Sequence, residues 1–404
     1  MTDLSITNAR LVLPSGEIAT GSVRCAGDRI ESVGDCDPTD EAIDAKGALL
    51  APALVDLGVF AVDKPACHYG GIARVGLMPD GEMLDTPAPV RFAARSGKPD
   101  LWVHPIAAAT SGLEGSRLTE LALMREAGAR AVATGRKWIA DSGTMLRVMQ
   151  ACAMLELTCI VATEDGGLAG DAVATSGAIA TRFGLASAPA EAEALAIARD
   201  LMLAEMSGAR VHFRQVTTAR GLDMVRRAKA DGLTVTAGVS PAYFMLSDLA
   251  VADFRTFARL SPPLRSEDDR QAVRAAIGDG TVDVICSSHD PHGSEAKRLP
   301  FADAAPGMAG AETLLPLTLS LVRDGVIDLG RAFELVSTNP ARLLGVAAGT
   351  LAEGQAADLV LVDPDRPWIV DSGKMRAAAG NTPFDRQGVE GRAEALFKGG
   401  KRIV

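Results

Sequence analysis

The chain has 404 residues, 48% of them apolar, and a formal net charge of −10. That length exceeds one ordinary compact unit, so a large domain with a smaller accessory one is expected. The acidic balance argues against nucleic acid or an anionic membrane as a partner, because both are bound by a concentrated basic face.

The start, MTDLSITNARLVL, has neither a basic leader nor a long apolar run, and no segment reaches about 18 uncharged apolar residues, so a cytoplasmic protein is expected. Residues 4–50 read as short strands separated by Gly and Asp turns, a small antiparallel β unit. From 51 to 345, apolar strand-like runs alternate with Ala-rich helical stretches. The strand candidates are 54–59, 73–78, 101–109, 129–133, 158–163, 210–216, 233–239 and 282–288; helices are expected over 118–128 and 191–208. Eight such runs predict a (β/α)8 TIM-type barrel, and no GxGxxG follows the first strand to favour a doubly wound sheet. Residues 346–404 are again β-rich, so both termini (1–50 and 346–404) are expected to build one composite β-sandwich domain beside the 51–345 barrel.

Six cysteines (Cys25, Cys36, Cys67, Cys152, Cys159, Cys286) are scattered with no CxxC, which predicts reduced thiols. The stretch Leu49–Phe60, LLAPALVDLGVF, reads as a buried parallel strand, and in a barrel its carboxyl end is where chemistry sits.

The later motifs carry a resemblance. SPPLRSEDDRQAVRAAIGDGTVDVICSSHDPH at 261–292, EAKRLPFADAAPGMAGAETLLPL at 295–317, ELVSTNPARLLG, GTLAEGQAADLVLVDP and NTPF resemble the dihydroorotases of the amidohydrolase superfamily, as do SITNARLVLPSGEI and LVDLGVF earlier. The resemblance spans essentially the whole chain. It implies a reversible closure of N-carbamoyl-aspartate to dihydroorotate, with zinc polarising the amide and lowering its bound water to a pKa of about 7 while an Asp moves the proton.

Position by position, that machinery is replaced. The family's His-x-His at the first strand end is Gly58-Val59-Phe60, and the Arg that grips substrate is Val62. The Met-Pro-Asn becomes Met78-Pro79-Asp80, and the bridging carboxylate is missing from Thr134-Gly135-Arg136, with Lys137 beside its place. The next ligand His is Ala162, ahead of Glu164-Asp165; the following one is Gln215, with His212 as its companion; the catalytic Asp is Ser288. A single lost ligand leaves charge unpaired in a dry site, whereas replacement of the whole set by neutral groups can be neutral in energy.

The resemblance is closest to the noncatalytic dihydroorotase-like chains that accompany aspartate transcarbamoylase. It therefore implies a metal-free structural partner of that enzyme's catalytic subunit, a homodimer alone, with no catalytic residue. His292 is the vestigial candidate for a ligand contact. The alternative is a divergent hydrolase of cyclic amides whose zinc moves to His68, Cys286, His289 and His292. Glu164-Asp165 and Asp56 are expected to hold structure, Asp56 tying the top of the barrel.

Overall fold

A buried carboxylate, Asp358, ties the small domain to the barrel. The computed structural model describes residues 3–39 and 41–404; residues 1, 2 and 40, within the expected amino-terminal unit, lie outside it. In chain order the amino-terminal strands are β1 (Asp3–Val12), β2 (Ile18–Ala26), β3 (Arg29–Gly34), β4 (Glu41–Asp44) and β5 (Leu49–Pro52). The barrel follows with β6 (Leu54–Val59), β7 (Ile72–Leu77), β8 (Trp102–Ala108), β9 (Ala131–Ala133) and β10 (Thr158–Val161). A short parallel pair, β11 (Ala174–Thr175) and β12 (Ser187–Ala188), interrupts it before β13 (Val211–Phe213), β14 (Val235–Val239) and β15 (Val284–Ile285). Strands β16 (Leu359–Ile369), β17 (Gly388–Lys398) and β18 (Lys401–Arg402) close the chain.

The terminal strands form one branched sheet in the order β18-β17-β16-β5-β1-β2-β3, with β4 added along β1. It closes on itself where Arg29 bridges Ala356, around a core that includes Ile6, Leu11, Val23, Leu50, Leu359 and Phe397. The expected boundary at residue 50 falls inside β5, because Leu49–Pro52 pairs in full with β16. Arg74 on β7 and Lys398 on β17 both bond Asp358, each at 2.7 Å, and all three side chains are nearly inaccessible. Charges this buried persist only as a satisfied set.

The eight barrel strands are all parallel, β6 through β15 in sequence order, as the alternation of strand and helix predicts. Val55 and Leu57 point inward to Ile106, Ile160 and Val284, with Ala341 and Leu344 in the same cluster. Leu54 and Val59 face the helices instead. Each side chain of this kind contributes about 1.5–3 kcal/mol by leaving water.

The helix Glu191–Ser207 is a run of strong helix formers that ends at Gly208, whose φ of +65° suits only glycine well. The helix expected over 118–128 is shorter, Leu121–Glu126, because the Thr119 hydroxyl donates to the Ala108 carbonyl and ties the approach to β8. No helix among the described residues is long and apolar enough to cross a membrane. All six cysteines are free.

Candidate functional site at the barrel mouth

Strand β6 pairs regularly with β7 from Val55 to Leu57, after which the register slips and Val59 meets Leu77. The extra residue is Gly58, at φ +109°, which makes this a bulge built on a glycine. A bulge reverses the alternation of side chains, so Val59 packs outward and Phe60 turns into the barrel with Met78 and Cys286. Phe60 is 5% exposed, and its N–H donates to the His289 carbonyl at 2.9 Å. The Arg136 guanidinium lies 3.7 Å from the ring centre, and that of Arg214 lies 5.2 Å away.

Around this ring the strand ends are tied by neutral hydrogen bonds. Gln215 donates to the Ser288 hydroxyl at 2.5 Å and accepts from the Ser240 N–H at 3.0 Å. Thr134 accepts from the Ala162 N–H at 3.0 Å, and Thr163 donates to the Gln215 carbonyl at 2.6 Å. No strand ladder joins β15 to β6 among the described residues. Instead Asp56, on β6, accepts the Ser287 N–H at 2.8 Å and also the Ser287 hydroxyl. Burial pushes the Asp56 carboxyl above its ordinary range against these bonds. The carboxylate thus closes the barrel, as its place on the strand suggested.

Two carboxylates at the mouth, Asp290 and Glu164, are held in ion pairs. Asp290 takes Arg136 at 2.6 Å and faces the His292 ring at 3.0 Å; burial raises its carboxyl, but these two partners outweigh burial and hold it low. Asn381, from beyond the barrel, binds the His292 N–H and the carbonyls of Asp290 and Gly307. Gly310 passes so close to the Ser287 carbonyl that a Cβ there would stand 2.2 Å from its oxygen. The Gly-Met-Ala-Gly segment therefore shapes the loop.

Glu164 pairs with Arg265 at 2.8 Å, while Asp165 caps the short helix Gly166–Ala169 through the Leu168 N–H. Arg265 is fully enclosed and also bonds Thr217 and Thr175. Its other flank meets Glu193 at 3.5 Å, which accepts from Thr217 and Thr218. This network fixes β11 and the helix Glu191–Ser207 to the mouth and holds Glu164 and Glu193 against Arg265.

The four residues of the relocated metal set are not gathered, which corrects that expectation. His68 faces Asp100, which precedes β8 at the opposite end of the barrel. His289 sets its ring against Asp63 and the Ala311 N–H, each at 3.3 Å. Burial pushes the Cys286 thiol up to about 11. No group of three or more His, Cys, Asp or Glu among the described residues could hold a metal ion. His212 is buried against Thr236, and burial lowers its pKa to about 3; Lys137 is exposed.

The cavity left at the mouth is about 20 Å³, lined by Phe60, Arg136, Arg214, Gln215, Ser288 and Asp290 among others. A cavity of about 740 Å³ lies at the other end of the barrel, beside Arg130, Leu157 and Arg210. Small-molecule sites run to about 300 Å³ or more.

The amidohydrolase family model matches residues 82–403. A dihydroorotase of Pelobacter propionicus is 36% identical over 379 residues, covering 90% of this chain and 89% of its own length. A dihydroorotase-like protein of Pseudomonas aeruginosa is 37% identical over 412 residues, with 96% of each chain covered. This chain belongs to the dihydroorotase family. Among solved structures, the L-hydantoinase of Arthrobacter aurescens superposes with a TM-score of 0.88 at 23% identity, covering 100% of this chain and 96% of that one; at that identity the likeness is one of fold.

Gly58, Phe60, Ala162, Gln215 and Ser288 do converge at the strand ends. Arg136 and Arg214 fill the space between them; the resemblance placed Arg136 only in the segment expected to supply the bridging carboxylate, and gave Arg214 no role. The signal for Arg214 was present, since RVHFRQV places a cation inside an otherwise buried strand run. The stacking of Arg136 on Phe60 was not legible, because only the fold brings its loop over that ring.

Proposed function

We propose that this dihydroorotase-family chain is a noncatalytic, metal-free member that serves pyrimidine biosynthesis as a structural partner of the aspartate transcarbamoylase catalytic subunit. Phe60 in the barrel mouth carries the reading: an aromatic ring capped by Arg136 occupies the place where the family resemblance puts a metal-binding His. The 20 Å³ that remain suit no cyclic amide. The neutral bonds of Gln215 and Ser288 support the same view, because a site that had lost one ligand would leave costly unpaired groups. Relatives named dihydroorotase-like protein, in Pseudomonas aeruginosa and Pseudomonas putida, match 96% and 94% of the chain. The proposed setting is cytoplasmic, with the chain dimeric when alone.

The test is one preparation assayed three ways: bound zinc, dihydroorotate hydrolysis, and co-purification with aspartate transcarbamoylase. Stoichiometric zinc with hydrolysis at an ordinary enzyme rate overturns the noncatalytic reading. Elution of the two proteins as separate species overturns the partnership.

A further inference from the structure

The outer face of a barrel helix meets water and is expected to be polar. The helix Glu191–Ser207 departs from that pattern. Its Leu195, Met202 and Met206 are 52%, 60% and 67% exposed, and at spacings of seven and four residues they lie along one side of the helix, with Ala198 between them. Arg199, the cation on this side, is turned away to Asp200 at 2.5 Å and the Ile139 carbonyl at 2.6 Å. The helix Ser142–Met154 packs alongside and runs the same way, so its last residue, Met154, 85% exposed, stands at the same end of the barrel as Met206. The next two helices, Ala219–Ala230 and Glu267–Gly278, are instead laced with ion pairs on the outside: Asp223 with Arg227, Arg226 with Asp279, Arg270 with Glu267. An apolar strip confined to one side of a barrel marks a surface that meets another protein, and methionine is enriched at such surfaces.

Symmetry and charge decide what covers it. The strip from Leu195 to Met206 is centred close to the middle of its helix, so a two-fold axis there lays it antiparallel on its own copy. Leu195 then meets Met206 of the partner subunit, and Met202 meets Ala198, whose small side chain lets the helices approach. The same rotation carries Glu191, in the first turn, to the far end of the partner helix, where Arg210 precedes β13. Both are exposed, and among the described residues neither belongs to an ion pair; the Arg210 guanidinium donates to the Glu156 carbonyl. Opposite charges at the two ends of an apolar strip make it complementary to itself. We infer that two copies of the chain pair across this face, with Leu195, Ala198, Met202 and Met206 at the centre and two Glu191–Arg210 pairs at the rim. The helix is about 25 Å long, and its neighbour about 10 Å to the side doubles the width of the surface. That is the scale of the central part of an interface burying about 800 Å² per partner. The inference rests on the dimeric part of the reading above and on neither its noncatalytic nor its transcarbamoylase part.

Sedimentation equilibrium of the full chain tests it, with circular dichroism to confirm that each variant is folded. The wild type should sediment at twice the chain mass. Leu195→Glu and Met202→Glu should each raise the dimer dissociation constant by about 100-fold or more, since each sets a carboxylate in the apolar centre. Glu191→Arg should raise it by about 5-fold, and the charge swap Glu191→Arg with Arg210→Glu should restore it, which a merely structural role for either residue would not do. Arg220→Glu, on the outside of the next helix, should leave it unchanged. A wild type that is monomeric overturns the inference together with the dimeric reading. A dimer that survives Met202→Glu overturns the inference alone, as does a Met202→Glu variant that stays dimeric but no longer co-purifies with aspartate transcarbamoylase, which would give the face to that enzyme.

Discussion

The Arg136 guanidinium covers the Phe60 ring at 3.7 Å and at the same time donates to Asp290 at 2.6 Å. One side chain thus links the end of the first barrel strand to the loop after the last one. The ring is pinned from below by Met78 and Cys286 and from above by the guanidinium, so it acts as a packed part of the core.

Phe60→Ala should therefore behave as a core truncation. The lost burial and the new cavity cost about 3 kcal/mol, with up to about 1 kcal/mol more from the lost stacking. Urea unfolding followed by circular dichroism reads this directly. A change below about 1 kcal/mol would mean the ring is not packed as described.

Gly58→Ala isolates the backbone requirement of the bulge. The nearest atom to an added Cβ is Met78 Cγ at 3.9 Å, so space is available and only the φ of +109° resists. The expected loss is about 1–2 kcal/mol. Gly166→Ala, at an exposed helix start with open space around it, should be neutral or slightly stabilising and serves as the control.

The triple change Gly58→His, Phe60→His and Ser288→Asp should not restore a metal enzyme. A His at 58 must adopt the same strained φ, Ala162 and Gln215 still supply no ligand, and the bridging carboxylate remains absent. Elemental analysis should find well below one zinc per chain, and dihydroorotate hydrolysis should stay at background. Recovery of stoichiometric zinc would show that the mouth is nearer to a working site than its bonding suggests.

The Arg74–Asp358–Lys398 cluster predicts an acid-sensitive interface between the two domains. Burial raises the Asp358 carboxyl, but Arg74 and Lys398 outweigh it and hold it below its ordinary range. A folded-state pKa below the unfolded value of about 3.9 gives stability that is complete above that pH and is lost as pH falls through the folded pKa. Asp358→Asn leaves two buried cations uncompensated and should cost about 3–5 kcal/mol at pH 7. The gap between variant and wild type should narrow below about pH 4, measured by denaturant midpoints across pH. A gap that stays constant would place the cost in packing instead of charge.

The eight-strand alternation and the β-rich termini were legible in the chain, because apolar runs and turn residues are local properties; Gly58, Phe60, Ala162, Gln215 and Ser288 were singled out only by the resemblance to the dihydroorotases. Asp56 was legible as a tie for the same reason: a lone carboxylate in a buried strand must be satisfied by something, and the adjoining strand's Ser287 satisfies it. The four-residue metal set was not decidable that way. Cys286, His289 and His292 are close in sequence, yet β15 and the loop after it send them to different partners, and His68 faces the far end of the barrel.

What the amino-acid order determined by itself is the eight-strand alternation, the β-rich termini and the resemblance to the dihydroorotases. What only the tertiary structure decided is how the barrel mouth is filled. The glycine bulge reverses the alternation of β6 and turns Phe60 inward, a loop seventy-six residues later lays Arg136 across it, and the end of β13 brings the Arg214 guanidinium within 5.2 Å of the same ring. Those relationships depend on register and on contacts between distant segments, where one residue of slip exchanges the inner face of a strand for the outer.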